Sequence, residues 1–392
     1  MKTVYLVDGL RTPFGSFGGA LSDISAPELA SVVIKELQKK YRLPEDAVDE
    51  VIMGQVIQGG SKQAPARIAM RLAGLSDSTH AMTINKVCGS GLKSFMLGTQ
   101  SIMLGDSHIV YAGGMENMSM APYALDKARF GYRMGQSSIY DLMIYDALQD
   151  PYSGKHMGEI TEESIKKNGL SRKEQDDYAI RSYTLAQMAI EKRILDREIV
   201  GVAKKTKKGE ILVDKDEEPF KGDITKIETL KPAFIKDGTI TAGNASKIND
   251  GAAVGLLADD EAVKKYNFNP KIRIVAYSTN SIHPDDFGEA PIGAIEKVLA
   301  KAKLDLNQID LFEINEAFAA VPLMAIKKLK IDINKVNVNG GAVAFGHPVG
   351  ASGARLLITL SRELIARNLK YGIATLCIGG GEAVAVLAEK IN

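Results

Sequence analysis

The sequence predicts an α/β fold built from two related halves. Short apolar runs typical of strands alternate with segments of helical period in the first 119 residues and again after residue 270. This alternation favours a mainly parallel sheet with helices over both faces. A weak internal repeat links the two regions, since "CGSGLKSFML" resembles "GASGARLLIT" and "IVYAGGMEN" resembles "ATLCIGGGEA". Two such halves bring corresponding loops together, so we expect one shared cleft.

The first half starts with a strand in "TVYLVDG" and a helix over residues 26–41. Ser25 and Glu28 are predicted to form a capping box at the start of that helix. A strand in "VDEVIMGQVIQ" follows, then a helix in "ARIAMRLAGL" that ends at Gly74, then a strand in "AMTINKV". The half closes with a helix in "GSGLKSFMLGTQSIMLGD" and a buried strand in "SHIVYAGGMENMS".

Residues 120–245 break this rhythm and are predicted to be an insertion. They include a strong helix capped by Ser171 and Glu174, and a charged stretch, "VAKKTKKGEILVDKDEEPFKGD", interpreted as a solvent-facing hairpin. The α/β pattern then resumes with strands in "IRIVAYSTN" and "IDLFEIN" and helices in "APIGAIEKVLAKA" and "AVPLMAIKKL". "VNVNGGAVAFGHPVGASGARLLITLSRELIARN" is predicted as strand, loop and helix, and "GIATLCIGGGEAVAVLA" as two strands around glycines.

This pattern predicts three parts. They are an N-terminal half of residues 1–119 plus 246–270, an inserted loop domain of residues 120–245, and a C-terminal half of residues 271–392. A chain of 392 residues is too long for a single small core, which agrees with this division.

Composition excludes several classes of protein. The chain has 49 basic and 48 acidic side chains, so its net charge of +1 argues against a nucleic-acid or anionic-membrane binder. Its start lacks the features of a signal peptide, and we expect no membrane helix and a cytoplasmic location. Two cysteines give no disulfide framework, and the spacings CxxC and HxxxH of metal sites do not occur, so no metal is expected.

Cys88 is the first candidate for chemistry. It follows a strand and precedes a helix, where the helix dipole is expected to favour a thiolate. The Gly-Ser-Gly after it is interpreted as room for backbone amides to approach a ligand, as in a nucleophile elbow. The alternative is a buried cysteine beside a tight turn.

Two further residues could work with Cys88. His347, in "AFGHPVGASG", is one of five histidines, and a neutral imidazole next to a thiol can activate it. Cys377 stands at the end of an apolar strand before three glycines, where a thiol of tuned pKa can exchange protons with carbon. A surface histidine and a buried strand cysteine are the alternatives.

Two weaker candidates complete the set. Asn315 in "EINEAFAA" is either a helix N-cap or an amide donor to a developing oxyanion. His156, in "GKHMGEIT", lies in a short motif of low specificity whose alternative is a surface loop.

Together these segments resemble the thiolase family over essentially the whole chain. The resemblance rests on four motifs in order: "NKVCGSGLKS", "NEAFAA", "GHPVGASGAR" and "CIGGGEA". It implies the thiolase fold, two α/β halves in a layered αβαβα arrangement with an inserted loop domain. It also implies an enzyme with coenzyme A thioesters as substrates and no bound cofactor.

The resemblance assigns a role to each motif residue. Cys88 is similar to the nucleophile that accepts the acyl group, and His347 to its activating base. Cys377 is similar to the acid/base that protonates the leaving CoA thiolate and later removes the α-proton of the second acyl-CoA. Asn315 is similar to the residue that holds a water in the oxyanion hole of the enolate, where His347 also donates. The N–H groups of Cys88 and Gly379 are similar to the donors of the second oxyanion hole, which faces the carbonyl of the acyl-cysteine.

The family also implies a substrate pocket. "HMG", with His156 and Met157, is similar to the short-chain branch that forms acetoacetyl-CoA. Ser246 is similar to a residue near the pantetheine, and Ala317 and Phe318 to the acyl-pocket wall. Lys247 departs from the family, which usually has a small residue there. It is interpreted either as a contact to a CoA phosphate or as a solvent-facing side chain.

The predicted activity is acetyl-CoA C-acetyltransferase, the reversible condensation of two acetyl-CoA molecules to acetoacetyl-CoA and CoA. A degradative 3-ketoacyl-CoA thiolase of broader chain length and a non-catalytic acyl-CoA-binding scaffold are the alternatives. A ketoacyl synthase or hydroxymethylglutaryl-CoA synthase is disfavoured by Cys377 and by the "NEAF" motif. Family members assemble as dimers or as dimers of dimers, so we expect a homotetramer, and a partner enzyme that takes up the product stays open.

Overall fold

A ten-stranded mixed sheet organises the part of the chain that this computed structural model describes, residues 2–207 and 209–392. The strands are β1 (Tyr5–Arg11), β2 (Gly15–Ser16), β3 (Glu50–Gly54), β4 (His80–Ile84), β5 (Ile109–Asn117), β6 (Tyr123–Leu125), β7 (Ile139–Asp141), β8 (Val202–Thr206), β9 (Gly209–Val213), β10 (Asn249–Ala258), β11 (Ile272–Ser281), β12 (Leu311–Ile314), β13 (Tyr371–Ile378) and β14 (Glu382–Lys390). The helices are α1 (Ala26–Tyr41), α2 (Pro65–Ala73), α3 (Ser90–Leu104), α4 (Met157–Asn168), α5 (Arg172–Glu191), α6 (Asp260–Lys265), α7 (Ala290–Ala302), α8 (Ala320–Leu329), α9 (Ala342–Phe345) and α10 (Val349–Ala366).

The sheet repeats one topology twice. Its order is β12-β13-β14-β11-β1-β10-β5-β3-β4, with β2 paired to β10. In the first half β3 is parallel to β5, β5 antiparallel to β10, and β10 antiparallel to β1. The second half repeats this with β12, β13, β14 and β11. The segments matched by the sequence repeat therefore occupy equivalent places, β5 with β13 and α3 with α10.

Helices form three layers around the two half-sheets. Helices α3 and α10 pack together in the centre, where Phe95 and Leu357 share one core with strands of both halves. Leu29 of α1 belongs to an outer core on the first half, and Ile295 of α7 to an outer core on the second. The αβαβα layering expected from the family resemblance is therefore confirmed.

Glycines allow α3 and α10 to approach closely at their first turns. A Cβ on Gly91 would lie 2.8 Å from the backbone nitrogen of Ala354 and 2.8 Å from the backbone oxygen of Gly350. A Cβ on Gly89 would overlap the side chain of Ile378. The glycines that follow Cys88 thus make room for neighbouring protein, and the interpretation as room for a ligand is wrong for these two positions.

Several local predictions can be compared with this structure. The backbone N–H of Ser25 donates to Glu28 at 2.9 Å, and the capping box of Ser171 is present. The charged stretch forms the antiparallel pair β8–β9, in a sheet of its own. The strand predicted in "VNVN" is wrong, because only isolated bridges such as Phe312–Val336 form there. The boundaries of the inserted region stay a proposal.

The helices were also compared with the length that a membrane span requires. Within residues 2–207 and 209–392, no helix is long and apolar enough to cross a membrane.

Candidate active site

Cys88 sits in a strained turn between β4 and α3. Val87 just before it has φ 45°, a left-handed conformation that a β-branched residue rarely adopts. Hydrogen bonds hold the turn: Gly89 N–H donates to the backbone oxygen of Lys86 at 3.0 Å, and the Ser90 hydroxyl donates to that of Val87 at 2.7 Å. Such strain persists only where the surrounding structure imposes it, which is typical of functional sites.

One cavity of about 210 Å³ brings nearly all the predicted site residues together. Its wall includes Cys88, His156, Met157, Ser246, Ala317, Phe318, His347, Cys377 and Gly379. Asn315 lies directly behind this wall, against His347. The residues come from both halves and from the inserted region, as a shared cleft requires.

The thiol of Cys88 is protonated at rest. Burial raises its pKa to about 11, although the N–H groups of Gly379 and of Cys88 itself oppose the shift. Burial therefore acts against the thiolate that the helix N-terminus was expected to favour. A nucleophilic role for Cys88 would require a neighbouring base to take the proton.

His347 has the protonation state of such a base. Burial, helped by the charge of Arg355, lowers its pKa to about 3, so the imidazole is neutral. Its Nδ1 lies 2.6 Å from the hydroxyl of Ser352, which donates its own hydrogen to the backbone oxygen of Pro348 at 3.0 Å. We assign the Ser352 hydrogen to the bond with Pro348, so that Ser352 accepts from His347. The ring proton is then on Nδ1 and the lone pair on Nε2, in agreement with the contact of Asn315 Nδ2 at Nε2.

Cys377 lies near the end of β13 and is buried. Burial and the nearby Cys88 raise the pKa of its thiol well above the usual range. A thiol of this kind is a proton donor at rest. It becomes a strong base once its proton has been given away.

The loop between β12 and α8 holds Asn315 next to His347 and against β13, the strand that carries Cys377. Its backbone N–H donates to the backbone oxygen of Thr375 at 3.0 Å, and its Nδ2 makes a long contact of 3.4 Å with His347 Nε2. The N-cap alternative is wrong, since α8 begins at Ala320 and Ala319 is its N-cap.

Glu316 anchors this loop, and sequence reasoning gave it no role. Its buried carboxylate accepts hydrogen bonds from Tyr178, Ser182, Asn337 and the backbone N–H of Val343, at 2.7–3.0 Å. This carboxylate therefore connects three parts of the chain through hydrogen bonds. They are the loop of Asn315, the segment before His347 and helix α5. The only sign of its role in the sequence was its position, directly after Asn315 and before an apolar helix.

His156 is the N-cap of α4 and not a surface residue. Its Nδ1 accepts from the N–H of Gly158 at 3.0 Å, and Glu159 completes a capping box. Its ring stacks on Phe234 at 4.7 Å, and Phe234 meets Phe318 edge-on at 6.0 Å. Burial lowers the pKa of His156, so a neutral, aromatic-backed imidazole forms part of the cavity wall. Phe234 was not predicted from the sequence.

Glu116 was also missed. It is buried and accepts backbone N–H bonds from Val56, Ile57 and Gly350 at 2.9–3.1 Å, while burial raises its pKa to about 7. It links the first half to the start of α10. In the sequence, the motif "GGMEN" that contains Glu116 is recognisable only as one member of the internal repeat.

A second cavity of about 340 Å³ lies next to the first, and Lys247 belongs to the walls of both. Apolar and charged side chains line it, including Tyr183, Glu218, Lys221, Ile224, Ile227 and Leu230. Residues between 218 and 227 of the inserted region supply much of this wall.

The structure also groups three residues that are potential metal ligands. Among the described residues, these are His108, Asp259 and Glu261, outside the catalytic cavity. Lys2 Nζ donates to Asp259 there at 2.7 Å, so a cation already neutralises that carboxylate.

Comparisons with known proteins agree with the site. Residues 4–261 match the model of the thiolase N-terminal domain, and residues 268–390 that of the thiolase C-terminal domain. The chain is 46% identical over all 392 residues to a probable acetyl-CoA acyltransferase of Staphylococcus aureus, with both chains fully covered.

Solved structures give the same result. The acetyl-CoA acetyltransferase of Bacillus anthracis is similar at 43% identity and a TM-score of 0.97, and human mitochondrial 3-ketoacyl-CoA thiolase at 39% and 0.95. Each comparison covers 100% of this chain and 99% of the other. The chain therefore belongs to the thiolase family and is an acyltransferase of the acetyl-CoA acyltransferase type.

Proposed function

We propose that the protein condenses two molecules of acetyl-CoA to acetoacetyl-CoA and CoA, reversibly and through an acetyl group carried on Cys88. The observation that supports this most directly is the presence of two protonated thiols and one neutral imidazole in the same cavity. A nucleophile, its base and a separate acid/base are the groups that such a two-stage reaction needs.

In the first stage Cys88 takes the acetyl group. His347 Nε2 accepts the thiol proton, and the sulfur attacks the thioester carbonyl. The C–S bond to CoA breaks, and Cys377 gives its proton to the leaving CoA thiolate. This leaves acetyl-Cys88, an imidazolium and a Cys377 thiolate.

In the second stage Cys377 removes an α-proton from a second acetyl-CoA. The enolate oxygen is stabilised by His347 and Asn315, and the enolate carbon attacks the acetyl-Cys88 carbonyl. The N–H groups of Cys88 and Gly379 face that oxyanion. Collapse expels the Cys88 thiolate, which takes its proton back from His347.

The size of the cavity supports a short acyl group. Met157, Phe234, Phe287 and Phe318 surround a volume of about 210 Å³ together with the catalytic residues. A degradative 3-ketoacyl-CoA thiolase is the second candidate, supported by the likeness to the human enzyme of that name.

Mass spectrometry after incubation with acetyl-CoA tests the covalent step. We expect a gain of about 42 Da on the peptide of Cys88 and none in Cys88→Ala. Cys377→Ala should still accumulate the adduct slowly but should form no acetoacetyl-CoA. Full condensation by Cys377→Ala would contradict the acid/base role. Longer acyl-CoAs in the same assay separate the two candidates.

We also propose a homo-oligomer, a dimer of dimers, located in the cytoplasm. Large apolar side chains of the inserted region are exposed, among them Phe130 at 86% and Met134 at 97%. Exposed apolar clusters of this kind mark association surfaces. A monomeric mass in solution by light scattering would overturn the proposal.

A further inference from the structure

Lys247 is the residue of the substrate-lining segment for which the family resemblance gives no role. Its side chain is half-buried and lies between two cavities. Nζ donates to the backbone oxygen of Ala245 at 2.9 Å and to that of Val343 at 3.4 Å, and lies 5.5 Å from the centre of the Tyr183 ring. The nearest acidic groups, Glu218 and Glu316, act on it through space and not by a hydrogen bond.

The backbone of Lys247 contacts the same region as its ammonium group. Its carbonyl oxygen accepts from the N–H of His347 at 3.1 Å, while Nζ holds Val343 four residues earlier. The preceding residue, Ser246, donates its N–H to the backbone oxygen of Ala317 at 3.0 Å. Residues 245–247 therefore connect the loop of Asn315 to the segment of His347.

We infer that Lys247 is a positioning residue for this reaction. Its ammonium group fixes the 343–347 segment, and with it the His347 imidazole, against the segment that carries Ser246. The same group lies over Tyr183 and so joins the wall of the second cavity to the catalytic one. The inference rests on the proposed function, because its consequence is the alignment of a CoA thioester with Cys88 and His347.

The clamp depends on the charge of Lys247. A neutral amine keeps two N–H groups for the two carbonyl oxygens, but as an uncharged donor it forms weaker bonds, and it loses the attraction between a cation and the Tyr183 ring. Burial lowers the pKa of Lys247 to about 8, while Glu218 and Glu316 oppose that shift. The clamp is then complete well below pH 8 and weakens as the pH rises through 8. The other titratable groups that line the two cavities with it are Tyr183, Lys221, Asp223 and Lys226 in the second cavity and Cys88, His156, His347 and Cys377 in the first.

Kinetics of Lys247→Met, which keeps the length but not the charge, test the inference. We expect kcat/KM for acetyl-CoA to fall by about tenfold or more, since bonds from a charged donor are lost. Lys247→Arg should recover most of the loss. Lys301→Met is the matched control, because Lys301 makes the same two kinds of contact on the protein surface. Its Nζ lies 4.1 Å from the centre of the Tyr277 ring and donates to the backbone oxygen of Tyr277 at 3.3 Å. This variant should behave as the native protein.

Two further measurements separate positioning from bulk stability. The kcat/KM of the native protein should decline above about pH 8, and that decline should disappear in Lys247→Arg, whose guanidinium stays charged. Propylammonium should partly restore Lys247→Ala, whereas it should leave Lys247→Met unchanged. Native kcat/KM in Lys247→Met, or the same decline in Lys247→Arg, would overturn the inference.

Binding of desulfo-CoA tests the role of Lys247 independently of the proposed function. If the native protein fails to acetylate Cys88, the proposed function fails, and calorimetry with desulfo-CoA then decides the role of Lys247. Weaker binding in Lys247→Met than in Lys301→Met supports positioning, and equal binding overturns it. Lys247→Gln replaces Lys247→Met in these assays if the latter does not fold.

Discussion

Replacement of Ser352 by alanine should slow the acylation of Cys88 without unfolding the protein. The Ser352 hydroxyl accepts from His347 Nδ1 at 2.6 Å and thereby keeps the lone pair on Nε2. Alanine leaves a buried N–H without its acceptor, which disfavours the useful tautomer by about 1–3 kcal/mol. At about 1.4 kcal/mol per tenfold, the fraction of base-competent imidazole falls by between about fivefold and about 150-fold.

Single-turnover release of CoA from acetyl-CoA measures that step directly. Ser361→Ala is the matched control, because Ser361 is a buried serine of the same helix. Its hydroxyl donates to the backbone oxygen four residues earlier at 2.7 Å, as that of Ser352 does at 3.0 Å. Both variants should stay folded, and only Ser352→Ala should lose acylation rate. Native acylation by Ser352→Ala, or equal slowing in the two variants, would refute the tautomer reasoning.

Three other predictions follow from the packing and charges described above. Gly91→Ala should destabilise the protein by about 1–3 kcal/mol in urea unfolding, because its Cβ meets backbone atoms of α10, whereas Gly222→Ala, with nothing within 4 Å, should not. Glu316→Gln turns one of the two oxygens that accept from its four donors into an amide N–H group and should cost about 1.5–3 kcal/mol; a loss below 1 kcal/mol would contradict the anchoring role. Alkylation of Cys88 by iodoacetamide should quicken steadily from pH 7 to pH 9.5, because its pKa is about 11; a plateau below pH 8 would show a thiolate at rest.

The positions of many strands and helices were predictable from local patterns, whereas the layering came from the family resemblance. Helices α1, α7 and α8 begin and end at the residues that their apolar period indicates. The prediction of a mainly parallel sheet is wrong, because only β3–β4, β3–β5 and β12–β13 are parallel among the pairs of the ten-stranded sheet. The repeated strand topology follows the matched segments, which occupy equivalent places in the two half-sheets. Another exception is "VNVN", where Asn337 uses its side chain to bond the backbone of Ile314 and forms no ladder. Polar side chains that compete with backbone pairing are hard to foresee from a short run.

The residues proposed as reacting groups could be selected from the sequence, and the residues that support them could not. Cys88, His347 and Cys377 stand in motifs whose residue types suit the proposed chemistry, and the structure brings them to one cavity. Ser352 and Glu316 do their work through buried hydrogen bonds that join residues far apart in sequence, and a pattern along the chain does not show these. The protonation state of Cys88 was also out of reach, since the outcome depends on how completely the fold removes water from the sulfur.

The raised pKa values of the two thiols bear on the protein's resistance to oxidation. Peroxides and similar oxidants react with thiolates far faster than with thiols. In the resting protein both Cys88 and Cys377 are held as thiols. In the proposed reaction a thiolate forms only during turnover, when an acetyl group covers one sulfur and a CoA thioester fills the cavity beside the other. The raised pKa values would then protect the two thiols in the absence of substrate, and the bound substrate would protect them during turnover.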